Sequence, residues 1–304
     1  MKSIDFSVII PNLNGAKLLP NCLNSLLTAI SKKSLSVSGQ PTSKFETILV
    51  DNASTDNSIF LAKKIHPEIK IISNTKNLGF AKAINQGAGL ARYPWIVPCN
   101  NDIKLNKNWF KIMSKAMETN PDISSFFGTI KNKSGASIES TGLKFSYSGK
   151  CLNCRIKKTK QQVIWGGNAG LIIYQKKVFQ SLDGFDSDFF AYLEDVDFNL
   201  RLNKAGHRTL LVPTAISYHL GGATSQKFGN LRHQKTVQNW IYIIVKNYSL
   251  KQIFRNLPGI IEQRLRNLSG LLKNTPFLFW LPTLISIYGQ VIINSPIMFA
   301  KRKK

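Results

Sequence analysis

The chain has 304 residues, 43% hydrophobic and 10% aromatic, with a formal net charge of +25. That apolar content supports one large or two medium cores and excludes a disordered, fibrous or disulfide-stapled chain. A generally lysine-rich composition accounts for part of the charge; no helix-turn-helix, zinc finger or RNA-binding signature accompanies it, so nucleic acid is not the expected partner.

The N-terminus, MKSIDFSVII, runs straight into a strand without an apolar h-region, so no signal peptide is expected. Phe6–Ile10 is a run of strand formers closed by Pro11, and Leu19, Cys22, Leu23, Leu26, Leu27 and Ile30 then recur at helical spacing. Ser31–Lys44 is a polar loop. Thr47–Val50 is a second strand, followed from Asp51 by NASTDNS and a helix to about Ile65. Ile69–Ile72 is a third strand, Gly79 opens a helix to about Ala91, and Trp95–Cys99 is the fourth strand. Cys22 and Cys99 read as small core residues of a reducing compartment.

Near-continuous apolar strands separated by helices predict an α/β fold. Its sheet is Rossmann-like and mostly parallel, with helices on both faces. Ligands of such sheets bind beyond the carboxyl ends of the strands. Those ends carry Pro11-Asn12-Leu13-Asn14, Asp51-Asn52, Asn74 to Asn77 and Asn100-Asn101-Asp102, all on one rim. A turn explains any one cluster, because Asn and Asp bond their own backbone; four on one rim point to a polar ligand. P-N-L-N-G replaces the glycine fingerprint after the first strand, and no G-x-x-x-x-G-K-[ST] occurs, which excludes ordinary dinucleotide and P-loop sites. Asp51 remains suited to a ribose or base.

Phe126 to Trp165 is weakly patterned and rich in Lys, Ser and Gly, and reads as a variable surface region. Its Cys151-x-x-Cys154 lacks the second pair that a zinc site requires. Gly166 to Gly170 are small residues ahead of the apolar run Leu171–Tyr174, where backbone can approach something closely. Leu193, Val196, Leu200 and Lys204 then mark one helical face, with Gly206 as its stop. Glu194, Asp195 and Asp197 crowd that helix's first turn. They serve either the helix dipole, for about 0.3–1 kcal/mol each, or as a general base, for about 10²–10⁴-fold in rate. His219 follows a strand at Leu210–Pro213 and becomes a plausible metal ligand together with Asp102.

In order and spacing, SVIIPNLNG, VDNASTDNS, NTKNLGFAKAINQG, NND, GFDSDFFAYLEDVDFNLRLNKAG and VPTAISYHLGGAT resemble family 2 glycosyltransferases. The similarity is to the inverting, GT-A type and its rhamnosyltransferase-like branch, over about two thirds of the chain. The resemblance implies a nucleotide-diphosphate-sugar donor of dTDP-rhamnose or UDP-hexose type. It implies a glycan or lipid-linked acceptor, as in cell-surface glycan synthesis. It implies donor-site roles for Pro11, Asn12, Asn14, Asp51, Asn77, Gly79, Asn85, Asn101 and Asp102. Asp102 and His219 would hold Mg²⁺ or Mn²⁺, and Asp195, with Glu194 beside it, would be the catalytic base. Trp165, Gly166 and Gly167 are assigned to the acceptor side. Asn100 stands at the first position of the D-x-D-like motif, so only Asp102 supplies charge there. A member that binds nucleotide sugar at the membrane without catalysis is the alternative.

Residues 1–230 are expected to form the catalytic domain, with a nucleotide-sugar half to about 102 and an acceptor half from about 103. Residues 231–304 form a basic, apolar helical region. From Leu231 onward Glu262 is the only acid among a dozen Lys and Arg. Ile261, Leu265, Leu268 and Leu272 make one apolar stripe, suited to a membrane interface. Asn274 to Ala300 is uncharged and exceeds the roughly 20 residues needed to span. Pro282, Gln290, Asn294 and Pro296 interrupt it, which favours an embedded segment over a span. The expected location is the cytoplasmic face of the membrane, peripheral or monotopic.

Overall fold

The structure is a computed structural model describing residues 4–31, 43–221 and 229–302. The expected Ser31–Lys44 loop, the GATS of the His219 motif and the end of the basic tail therefore lie largely outside the described residues.

Four strands alternate with three helices as expected: β1 (Phe6–Asn12), α1 (Leu19–Ile30), β2 (Phe45–Asp51), α2 (Ser58–Ile65), β3 (Lys70–Ser73), α3 (Phe80–Leu90) and β4 (Trp95–Pro98). Leu19, Cys22, Leu23 and Leu26 of α1 are all buried, so the 3.6-residue spacing becomes its sheet-facing side. β3, β2, β1 and β4 are parallel neighbours. Asn12 ends β1 directly beside Asp51 at the end of β2.

Beyond β4 the sheet also takes in antiparallel strands, while β12 pairs parallel with β6. The chain continues through β5 (Ile103–Leu105), α4 (Trp109–Thr119), β6 (Ser125–Asn132), β7 (Ile138–Ser140), β8 (Leu143–Ser146), β9 (Lys150–Asn153) and β10 (Gln162–Ile164). β11 (Ile172–Gln175), α5 (Lys176–Ser181), α6 (Glu194–Lys204) and β12 (Thr209–His219) follow. The order β10-β12-β6-β11-β4-β1-β2-β3 inserts β11 antiparallel between β4 and β6. The expected surface region from Phe126 thus begins with a central strand whose Phe126 and Phe127 are fully buried. Lys-rich hairpins after β6 dilute its apolar signal.

Three helices complete the chain: α7 (Gly229–Asn247), α8 (Leu250–Lys273) and α9 (Trp280–Ala300). Ser249 and Gln252 close a capping box on α8. One apolar cluster crosses residue 230, joining Phe189, Val196 and Leu200 to Trp240, Tyr242 and Ile243 of α7. α9 runs uninterrupted from Trp280 to Ala300, because the breakers expected there are accommodated. Pro282 lies in its first turn, where a missing N–H costs nothing. Gln290 accepts from Gln238 Nε2 at 3.0 Å and Asn294 donates to Tyr242 Oη at 3.0 Å, so both amides face α7. Pro296 is held within the helix.

Candidate active site

The strand ends converge through side-chain amides. Asn12 Nδ2 donates to Asp51 Oδ1 (3.0 Å) and Ser58 Oγ (2.9 Å), while its Oδ1 accepts from Asn101 Nδ2 (3.0 Å). A Cβ on Gly15 would lie 2.1 Å from Asn12 Oδ1 and 2.6 Å from Asn101 Nδ2, so P-N-L-N-G requires its glycine for this bond. Ser54 donates its backbone N–H to Asp51 Oδ2 at 3.0 Å.

Above this layer lies a cavity of about 720 Å³, within the range typical of small-molecule sites. Pro11, Asn12, Asn77, Gly79, Asn101, Asp102, Glu194, Asp195 and His219 all line it, joining donor, metal and base candidates in one space. Asp51, Asn14 and Asn85 do not line it. Asp51 is held beneath by Asn12 and Ser54; Asn14 Oδ1 accepts from Thr55 N at 2.8 Å; Asn85 bonds the backbone of Phe185. These three support the rim rather than face its contents.

Trp165, Gly166 and Gly167 also lie outside the lining. Trp165 stacks on Phe145 with ring centroids 4.6 Å apart. A Cβ on Gly166 would meet Asn199 at 2.3 Å and one on Gly167 would meet Phe127 at 2.3 Å. What these glycines approach is α6 and the sheet, which fixes α6 in place. The lining is completed instead by β9 and by Arg232, Trp240, Gln263 and Asn267 of α7 and α8, among others. Sequence reading placed none of these four at the site, because helical periodicity marks a buried face without saying what it borders.

His219 Nε2 lies 3.1 Å from Asp102 Oδ2 and its Nδ1 lies 2.7 Å from Glu139 Oε2. Glu139, an isolated acid in sequence, is a partner that no motif announced. The hydrogen bond to Asp102, against the opposing pull of burial and with Glu139's help, raises the imidazole to about 9.

Glu194 and Asp197 are buried and Asp195 is half-buried between them, and the three differ. Burial, then the neighbouring Asp195 charge, pushes Glu194 well above the carboxylate range, and its buried Oε2 has no hydrogen-bond partner. Burial also raises Asp195, but backbone N–H groups of Ala169 (3.2 Å) and Val196 (2.8 Å) donate to it and favour its charged form. For Asp197 the opposing desolvation is overcome by Arg201 and Lys246, which hold it at about 2. Asp197 is a structural ion, and the adjacent Glu194–Asp195 pair is the one that lines the cavity.

Two family models match, each over more than half of the chain: glycosyl transferase family 2 over residues 7–183 and glycosyl transferase family group 2 over residues 130–300. The chain belongs to glycosyl transferase family 2. This family 2 glycosyltransferase is 24% identical, over 57% of its length, to N-acetylglucosaminyl-diphospho-decaprenol L-rhamnosyltransferase from Mycobacterium tuberculosis. The match spans 65% of that relative, just under two thirds of its length. A PGL/p-HBAD biosynthesis glycosyltransferase from Mycobacterium bovis is 35% identical over 30% of the chain and 33% of its own. These relatives make the family 2 chain rhamnosyltransferase-like. S. aureus TarS in complex with UDP-GlcNAc superposes with a TM-score of 0.65 at 17% identity, over 96% of this chain and 81% of its own. A mannosyltransferase from Pyrobaculum calidifontis, in complex with GDP-Man and Mn²⁺, superposes at 0.57 and 14% identity, over 99% and 85%. The fold is GT-A.

A divalent cation fits this family 2 site in part. No three His, Cys, Asp or Glu side chains form a metal cluster among the described residues. Asp102 Oδ1, however, is buried at the cavity without a partner. One or two carboxylates completed by substrate phosphates is the set that Mg²⁺ ordinarily takes.

Proposed function

We propose that the chain is an inverting transferase. It moves a sugar from a dTDP-rhamnose or UDP-hexose type donor to a hydroxyl of a lipid-linked or polysaccharide acceptor, in cell-surface glycan synthesis. The observation that carries this is the shared cavity, lined by Asp102 and His219 together with the Glu194–Asp195 pair. In an inverting step one base takes the acceptor proton as the hydroxyl attacks.

Asp195 is that base. Burial raises both carboxyls, but the backbone donors of Ala169 and Val196 favour the charged form of Asp195, whereas Glu194 Oε2 has no hydrogen-bond partner. The acceptor oxygen bonds the anomeric carbon, its proton passes to Asp195, and the bond to the diphosphate breaks with release of the nucleoside diphosphate. Mg²⁺ or Mn²⁺ held by Asp102 and His219 would neutralise charge developing on the diphosphate. Asn12, Asn77, Gly79 and Asn101 shape the donor end, with Asp51, Asn14 and Asn85 behind them. Asn12 at the end of β1, held by Asp51 beneath it, helps to set the position of the nucleotide. The names of the relatives, which include a diphospho-decaprenol rhamnosyltransferase, support a lipid-linked acceptor. The protein would work as a monotopic protein at the cytoplasmic face of the membrane; the exposed apolar side of α8 and α9 supports the contact with lipid.

A thermal-shift screen of nucleoside diphosphates and their sugars, with and without Mn²⁺, tests the donor half. One donor is expected to raise Tm only with metal present. Turnover of that donor should then vanish in Asp195→Asn while binding persists. Binding without turnover in the unaltered protein would instead favour a nucleotide-sugar-binding role without catalysis.

A further inference from the structure

We infer that Asn239 of α7 is a positioning residue for the carboxylate pair, holding the Phe189–Leu193 turn in the strained shape that carries Glu194 and Asp195 to the cavity. Its effect on turnover rests on the transferase reading above; its effect on the turn does not.

Phe190, Tyr192 and Leu193 have φ of 60°, 69° and 68°, and none is glycine. Each such conformation costs on the order of 1–3 kcal/mol and persists only where surroundings impose it. The three positive φ values turn the carbonyls of Phe189, Ala191 and Tyr192 toward one point. Asn239 Nδ2 occupies that point, 3.0, 3.0 and 2.7 Å from the three oxygens. The side chain is fully buried, and its Oδ1 has no partner. An unsatisfied buried acceptor costs about 1–3 kcal/mol; a leucine at this position would fill similar volume without that cost. The amide is therefore present for its donors.

What the turn holds is the site. Phe190, Ala191, Tyr192 and Leu193 line the cavity. Leu193 O accepts Asp197 N at 3.0 Å, which starts α6 and fixes the direction of Glu194 and Asp195. On the donor side Phe190 O accepts Ala81 N at 3.1 Å, and a Cβ on Gly79 would lie 2.4 Å from it. Lys246, two turns further along α7, secures the flanks of the same segment by bonding Asp186 (2.8 Å) and Asp197 (3.0 Å). Thus α7 sets base and donor wall together through backbone atoms that carry no sequence signature.

The test uses the full chain as Asn239→Ala, Asn239→Asp and Asn239→Gln. Hydrogen exchange by mass spectrometry should speed up over residues 186–197 in Asn239→Ala and stay unchanged over β1 and β2. Turnover should fall about 10²-fold, the scale of a roughly 1 Å misplacement. Affinity for UDP, dTDP or GDP with Mn²⁺ should fall by less than turnover, because the turn touches the donor wall only at Phe190. Asn239→Asp, with the same shape and no donor, should be no better than alanine, while Asn239→Gln, which keeps the NH₂, should recover part of the loss. Unchanged exchange over 186–197, or full recovery by Asn239→Asp, overturns the inference. If circular dichroism shows Asn239→Ala unfolded, the comparison of Asp with Gln decides by the same criterion. If the unaltered protein neither binds nor turns over any donor, the transferase reading fails and the exchange difference alone judges the clamp.

Discussion

Asp195 and Asp197 sit two residues apart in the first turn of α6 and are driven in opposite directions by their surroundings. Asp197 answers to Arg201 at 2.6 Å and Lys246 at 3.0 Å; Asp195 meets only backbone N–H groups and a carboxyl neighbour. Substitution should separate the two. Asp197→Asn leaves two buried cations without their shared partner, and breaking such a pair costs about 3–5 kcal/mol. Asp195→Asn removes a charge that the fold disfavours. The expected result is a large drop in Tm for Asp197→Asn. Asp195→Asn should keep or exceed the original Tm and lose about 10²–10⁴-fold in turnover. Thermal denaturation and rate assays on the two variants check this, and equal Tm values would remove Asp197 from its structural role.

Stability should also depend on pH in two windows. The folded value of about 2 for Asp197 lies below its ordinary 3.8. Its contribution is therefore present above about pH 4 and lost as pH falls toward 2, roughly 2 kcal/mol in all. Glu194 and Asp195 are raised, so their contribution is present below the ordinary carboxyl range and lost as pH rises through the raised values. The Tm advantage of Asp195→Asn should widen as pH rises above the ordinary carboxyl range. A difference that stays flat over that rise would mean the pair is not desolvated.

The strand ends were legible because a parallel sheet aligns its carboxyl termini, and local Asn and Asp clusters at those positions survive into the structure. Asn12, Asn101 and Asp102 reach the cavity for that reason. Glu139, Asn239 and Lys246 were not legible. Glu139 meets His219 across 80 residues and Asn239 meets the Phe189–Tyr192 carbonyls across 47–50. No periodicity encodes such contacts. The strain at Phe190–Leu193 was hidden too, because left-handed conformations are signalled by glycine or asparagine and here fall on Phe, Tyr and Leu. The glycines at 166 and 167 misled in the opposite sense: a close approach was foreseen, and its object is Asn199 and Phe127.

Asp102 is the only anionic side chain of the N-N-D segment, and its Oδ1 has no protein partner. Asp102→Ala should therefore abolish the Mn²⁺- or Mg²⁺-dependent part of turnover and the metal-dependent thermal shift with nucleoside diphosphate. His219→Gln keeps a polar side chain but not the imidazole, and should raise the metal concentration needed for half-maximal rate. Metal titrations of the initial rate separate these outcomes. A metal-dependent rate unchanged in Asp102→Ala would reduce N-N-D to a turn.

The C-terminal helices present a face that water serves poorly. Phe277, Leu278, Phe279, Leu281, Ile285, Ile292 and Ile293 are exposed, as are Phe254, Ile261 and Leu265 of α8. Meanwhile Ile287, Val291 and Met298 are buried and the Gln290 and Asn294 amides turn toward α7. A helix with one face satisfied by protein and the other apolar fits a bilayer interface better than a solitary span. The surrounding basic residues, nearly unopposed by acids, add about 1 kcal/mol each near anionic lipid. The protein should float with phosphatidylglycerol-containing vesicles, less with phosphatidylcholine alone, and dissociate partly in high salt. Phe277→Ser with Leu278→Ser and Phe279→Ser should weaken flotation without lowering Tm, because none of the three is buried. Flotation that ignores both lipid charge and these substitutions would argue against interfacial docking by this face.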